Sequence, residues 1–378
     1  MLRLDTLASM ATAPGPFATA YFDATRAEEL GPQIVGKRWR ALREQLSDQG
    51  ADDATLDAME AAVGSHDDVP GAHGQAIIAS GGTVRWDVAL PAPPRRDTAR
   101  FSTLPHLMPA VAALGPLVPY VTALVDRSGA DVTVHGPRGT EEQTVEGGDY
   151  PIHKTGKGGW STLRYEHRVQ DLWDANAKQV ADVIDSAVRR LDVAVVLVAG
   201  ETKAIQSLKS ALGKEAADRV QELDTGGRGD GIDEAKLEAE IDAAVARVAA
   251  SRDQAVLDRF AEAYGRAEAG VSDVLAVAGF HAVVDALRQA QVEHLLIVDD
   301  PASEAQAWIG PEPVHFGLTV EDVAALGVDA PTPERLDAAL VRAAAGTDAA
   351  IVTLAPGQLD VHDGLAATLR YPRLQVTG

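Results

Sequence analysis

Cysteine is absent from this 378-residue chain. That excludes disulfides, thiolate metal centres and cysteine nucleophiles together, and it fits a reducing compartment. Long apolar runs are missing too: none reaches the roughly 18 residues that a membrane-spanning helix needs, so no membrane contact is expected. The first 30 residues lack a basic start followed by an apolar run, so no signal peptide is expected and the chain reads as cytoplasmic. Positive charge is in deficit, with 34 Lys and Arg against 56 Asp and Glu and a net charge of −22. That excludes a generic nucleic-acid coat and a DNA-binding role, although one confined basic element is still permitted. Catalytic signatures are also lacking. There is no HExxH, GxSxG, Walker or dinucleotide fingerprint, and TGKGGWST has the wrong spacing for a phosphate-binding loop. No cofactor or metal is expected.

What is present describes an ordered protein. Hydrophobic residues make up 46% and charged residues 24%, enough for real cores, and the length implies two or three domains. The first region, residues 1–117, reads as an α+β domain. FATAYFD (17–23) alternates as a strand, a helix runs from Arg26 to Leu46, and DDATLDAMEAAV (52–63) is a short acidic helix. Residues 74–90 form two strands about Gly81-Gly82, and PAPPRRD is an irregular connection.

The central region, residues 118–228, opens with a hairpin, YVTALVDRSGADVTVHG. GPRGTEEQTVEGGDYP reads as a connection. A helix of roughly 30 residues starts near Ser161, with Tyr165, Val169, Leu172, Val180, Val183, Ile184 and Ala187 at helical spacing. LDVAVVLVAG (191–200) has the continuous apolar character of a buried parallel strand, and ETKAIQSLKSAL is a helix. The third region, residues 229–378, alternates helix and strand and predicts a small α/β sandwich. The whole is therefore expected to be a multidomain α/β protein of three domains.

Several apparent motifs dissolve on inspection. Arg228-Gly229-Asp230 is a chance tripeptide in a chain without an export signal. Residues 224–234 put Gly226 and Arg228 where a calcium loop needs oxygen ligands. Asp299 and Asp300 follow a strand, but no third metal ligand is near in sequence, so a solvated strand end is the simpler reading. The ten histidines are scattered, and no catalytic triad is legible.

One stretch stands apart: KTGKGGWSTLRYEHRV, residues 154–169. Gly158 and Gly159 permit backbone conformations closed to other residues. His153, Lys154, Lys157, Arg164 and Arg168 make the stretch locally basic, opposed only by Glu166. Trp160 and Arg164 are suited to stacking on bases or gripping phosphate. Two readings stay open here: an RNA-facing finger, or a loop whose tryptophan folds back on the helix start.

The order of features resembles the central domain of the archaeal and eukaryotic class I release factors and their relative Pelota. The features are the hairpin VDRSGADVTVHG, then GKGGWSTLRYEHRV opening a long helix, then LDVAVVLVAGETKAIQSL. The resemblance covers residues 118–378 and is closest to the bacterial branch, among its ribosome-hibernation factors. It implies a ribosome-binding factor in the A site of idle or stalled 70S ribosomes, contacting 16S and 23S rRNA. The first domain would face the decoding centre, the glycine loop the peptidyl transferase centre, and the third domain a translational GTPase, elongation factor Tu. The implied rRNA-binding residues are His153, Lys154, Lys157, Gly158, Gly159, Trp160, Arg164 and Arg168. In the first domain Lys37, Arg38 and Arg40 either face decoding-centre RNA or form a solvated helix face.

Release factors carry Gly-Gly-Gln in this loop, and the glutamine places the hydrolytic water. Here Trp160 stands in that position, and an indole N–H donates but cannot accept. Ester hydrolysis is therefore not expected, and the chain reads as a non-enzymatic protection factor of the stress response. The alternative is a rescue factor that releases or cleaves peptidyl-tRNA on stalled ribosomes.

Overall fold

The computed structural model describes residues 9–26, 31–66, 69, 71–115, 118–126, 128–136, 139–146, 160–228, 233–269, 271, 274–300 and 303–372. It is a mixed α/β structure with several sheets. The chain divides into two compact units: residues 117–252, and residues 1–116 together with 253–378.

The N-terminal segment is an antiparallel sheet in the order β3-β2-β1-β4. Its strands are β1 (Phe17–Asp23), β2 (Gly74–Ser80), β3 (Thr83–Leu90) and β4 (Thr98–Ser102). Helix α1 (Gly31–Asp48) lays Val35, Trp39, Leu42 and Leu46 on one face, and α2 (Asp53–Ala62) adds Leu56 and Met59. The spacing of four, three and four on α1 is one helical stripe. Asp52 caps α2 by accepting from the Thr55 backbone N–H at 2.9 Å. On the opposite face Tyr21, Ala76 and Leu90 pack with Ala110 of α3 (Met108–Leu114). Gly81 and Gly82 both take positive φ, 58° and 74°, which closes the expected hairpin with a two-residue turn.

The unit spanning 117–252 is built on a five-stranded sheet, β7-β6-β5-β8-β9. β5 (Tyr120–Val125) and β6 (Gly129–Gly136) are the antiparallel hairpin read from sequence. β7 (Gly139–Glu146) extends it, where a connection was expected. The long helix α4 (Trp160–Leu191) then leads to β8 (Val195–Gly200), which lies parallel to β5. Helices α5 (Thr202–Ala211) and α6 (Lys214–Ala217) and the short strand β9 (Val220–Glu222) complete it. One sheet face buries Val180, Ala181, Ile184, Ala187 and Val188 of α4. The other packs Tyr120, Val195 and Leu197 on Ala244 and its neighbours in α7 (Glu234–Glu268).

Residues beyond 252 return to the first unit. After β10 (Ala276–Ala278) and α8 (Phe280–Arg288) comes the central strand β11 (Val292–Val298). A small sheet follows, β12 (Gln306–Ile309), β13 (Phe316–Gly317) and β14 (Thr332–Arg335), with the capped turn of helix α9 (Val320–Ala324). Then come α10 (Leu336–Gly346), β15 (Ala350–Leu354) and β16 (Leu365–Leu369). The main sheet runs β10-β16-β11-β15, with β11 and β15 parallel. Val256 and Phe260 of α7 pack on Leu296, Val352, Leu354 and Ala366. This helix-on-sheet layer was expected; the small sheet and β16 were not.

Candidate functional site

In sequence the basic glycine stretch runs directly into α4, its mount. His153, Lys154, Lys157, Gly158 and Gly159 lie outside the described residues, and Trp160, Arg164 and Arg168 lie on the helix backbone with their side chains outside that set. What the structure describes is the mount. From Asn176 and Ala177 onward α4 buries one side into the core, and Arg190 in its last turn donates to Glu141 on β7 at 2.6 Å. Asp185 accepts from the Gly213 backbone N–H. At 1.5 Å per residue, the helix axis runs about 25 Å from the buried Ala177 to Trp160. No acidic residue sits in its first turn. The partial positive charge of a helix N-terminus therefore adds to the basic sequence that precedes it.

The hairpin and the strand end beside this mount are held by residues that sequence reading treated as punctuation. Arg228, only 14% exposed, donates to Asp131 at 3.0 Å and to Asp126 at 3.2 Å. Asp126 also accepts from the backbone N–H groups of Ser128 and Gly129, closing the hairpin turn. Burial pushes the Asp126 carboxyl up, but these hydrogen bonds and Arg228 outweigh it and hold it below its ordinary value. Arg228, the first residue of the apparent adhesion tripeptide, is thus a structural clamp in this unit. Gly200 has φ 140°, and a Cβ there would stand 1.9 Å from the Val125 carbonyl oxygen. Tyr120 stacks on His135 with ring centroids 4.1 Å apart. Burial pushes the Tyr120 hydroxyl up to about 12 and the His135 ring below its ordinary value.

Of the N-terminal basic residues, Lys37 and Arg40 are exposed on α1. Arg38 is engaged by Asp23 at 3.0 Å and Asp97 at 3.4 Å. The three therefore do not form one uniform patch.

A second polar cluster, in the other unit, was not legible in sequence. Glu334, with 1% of its side chain exposed, accepts from the Leu104 backbone N–H at 3.0 Å and pairs with Arg100 at 3.5 Å. Three residues on, Asp337 pairs with His106 at 3.3 Å and Arg335 at 2.6 Å. Burial pushes the Asp337 carboxyl up, but the His106 and Arg335 hydrogen bonds dominate and hold it well below the carboxylate range. The Tyr21 hydroxyl donates to the His106 carbonyl at 2.7 Å, and His106 stands edge-on to the Tyr21 ring. Among the described residues no serine or threonine hydroxyl meets the His106 ring, so this is a clamp between β-strand and helix ends and not a nucleophilic relay. Beside it opens a cleft of about 480 Å³. Asp299, expected as a solvated strand end, lies in its wall, while Asp300 is exposed. Among the described residues no group of three His, Asp or Glu side chains is placed to hold a metal ion, and no helix is long and apolar enough to cross a membrane.

The five-stranded sheet, the long helix α4 and its flanking strands lie in the segment that a family model matches. Residues 119–266 match the model of bacterial archaeo-eukaryotic release factor family 2. The chain is also similar to the Mycobacterium tuberculosis protein Rv2629 (strain H37Rv), 29% identical over 371 residues, 98% of this chain and 97% of that one. Among solved structures it is similar to the archaeal translation termination factor aRF1, 14% identical with a TM-score of 0.27, covering 97% of this chain and 96% of that one. It is also similar to Archaeoglobus fulgidus Pelota, 13% identical with a TM-score of 0.33, covering 99% and 93%. At such scores the likeness transfers neither domain placement nor activity.

Proposed function

We propose that this chain is a ribosome-binding translation factor that occupies the A site of idle or stalled 70S ribosomes and directs Gly158-Gly159-Trp160 toward the peptidyl transferase centre without hydrolysis. The observation that carries this reading is the family match over 119–266. It contains the basic glycine stretch and the 32-residue helix that follows, rooted in a five-stranded sheet. Trp160 replaces the glutamine of the release-factor loop, and a donor-only indole is suited to stacking on a base rather than to holding a nucleophilic water. The finer resemblance, to the hibernation factor Balon, supports protection of idle ribosomes as the role and elongation factor Tu as the GTPase partner.

The test is co-sedimentation of the full chain with empty 70S ribosomes, beside folded Gly159→Pro and Trp160→Ala variants. Loss of one stack is worth about 1–3 kcal/mol, so Trp160→Ala should weaken binding roughly 5- to 150-fold. Absence of wild-type binding, with and without elongation factor Tu, would overturn the proposal. Release of a nascent peptide by wild type, lost on changing His153, Arg164 or Trp160, would make the chain a rescue enzyme instead.

A further inference from the structure

We propose that the cleft in the unit formed by residues 1–116 and 253–378 binds a primary ammonium carried on an apolar stem, with Asp299 as the carboxylate that receives it. The inference rests on this unit alone and does not depend on ribosome binding. At about 480 Å³ the cleft lies within the range of small-ligand sites, roughly 300–1,000 Å³. Leu90, Met108, Phe280, Ile297 and Leu340 give it apolar walls. Asp299 directly follows β11, at the end where the parallel β11–β15 pair terminates, and its backbone N–H donates to the Leu354 carbonyl at 2.9 Å. The carboxyl ends of parallel strands are where α/β sheets place ligands.

The charges sort by depth. Asp337, Arg335 and His106 satisfy one another. Asp363 accepts from the Phe280 backbone N–H. Arg95, Arg96 and Asp300 are exposed at the lip. Asp299 is different: its side chain is only 19% exposed, yet its nearest cation is Arg95, itself 65% exposed and 3.8 Å away. Among the described residues nothing donates a hydrogen bond to the Asp299 carboxylate. Burial accordingly pushes its carboxyl up, with Arg95 pulling part of the way back. The Thr98 hydroxyl, in the same wall, is buried without a partner among the described residues. Asp299 thus has room for a second cation beside the exposed Arg95, and the Thr98 hydroxyl for a partner, because polar groups withdrawn from water are ordinarily paired.

An ammonium fits better than the alternatives. An anion passing the lip meets the inward Asp299 carboxylate. A purely apolar ligand would leave the carboxylate unpaired at greater depth. Arg95 approaches Oδ2, which leaves Oδ1 for a compact point donor rather than a planar fork. The ammonium has two possible sources, a free amine or a lysine side chain, and the experiment separates them.

The full chain is titrated calorimetrically at pH 7.5 with 4-phenylbutylamine, 4-phenylbutanol, 4-phenylbutyrate and Nα-acetyl-lysine N-methylamide. The amine should bind at least tenfold more tightly than the alcohol or the acid. Asp299→Asn should erase that preference without lowering the melting temperature, and Asp300→Asn at the lip should change it less than twofold. Tighter binding of the blocked lysine than of phenylbutylamine supports the site with a lysine side chain as its occupant. No binding of any probe at millimolar concentration, or an unchanged preference in Asp299→Asn, overturns the proposal. Preference for the butyrate, lost in Arg95→Ala with Arg96→Ala, overturns it in favour of an anion site.

Discussion

Single residues in this protein do more than their types announce. Gly200 pairs with Val125 across β8 and β5, at a φ of 140° that side chains rarely adopt, with the Val125 carbonyl where a Cβ would go. Gly200→Ala should therefore destabilise the unit by more than the ~1–3 kcal/mol of backbone strain alone, and a thermal melt reads this directly. Asp337 makes a pH prediction. Its carboxyl is held below the unfolded value of about 3.9, so its stabilisation is complete above that pH and is lost as pH falls through the folded value. Acid titration of the wild type should show loss of structure at low pH that is diminished in Asp337→Asn, which starts less stable at pH 7. Asp299 has the opposite sign. Its folded carboxyl is raised, so its ionised form is a cost at neutral pH that vanishes in acid, and Asp299→Asn should raise the melting temperature at pH 7 but not at pH 3. An equal gain at both pH values would mean the effect is one of packing and not of charge.

At the scale of the element, α4 carries both stability and the projected function, at opposite ends. Its C-terminal half supplies Ile184, fully buried in the core. Ile184→Ala should cost about 2–5 kcal/mol by denaturant unfolding, whereas Trp160→Ala should leave the unfolding midpoint nearly unchanged while weakening ribosome binding. Equal destabilisation by both would mean that Trp160 is folded back as part of the core. This helix was legible because its stripe persists over many turns, as β1 and the β2–β3 hairpin were legible from alternation and Gly-Gly. β7 was not, because TEEQTVE is polar on both faces and buries only Val145, as an edge strand does. β16 was not, because LAATL is buried throughout and too short for periodicity to decide. The cleft and its ion cluster were illegible for a different reason. His106 and Asp337 are 231 residues apart, and no local spacing encodes a pairing made by the fold.

For the whole molecule, a net charge of −22 sets a limit on how it can meet RNA. Most of its surface is repelled by phosphate, so attraction has to be confined to the glycine stretch. Arg38 and Arg43 on α1 are spent on Asp23, Asp97, Asp57 and Glu60. On the proposed reading Lys154, Lys157, Arg164 and Arg168 are the cations of the contact. At about 0.7 released counterions per phosphate contact, the slope of log affinity against log salt should be roughly −3. Lys154→Ala with Lys157→Ala should make it shallower by about 1.4. Lys37→Ala with Arg40→Ala on α1 should leave it unchanged, because those exposed residues sit beside a paired arginine on an acidic body. A wild-type slope as steep as about −8 would require more phosphate contacts than these four cations make, and binding would then depend on a partner that supplies the missing charge.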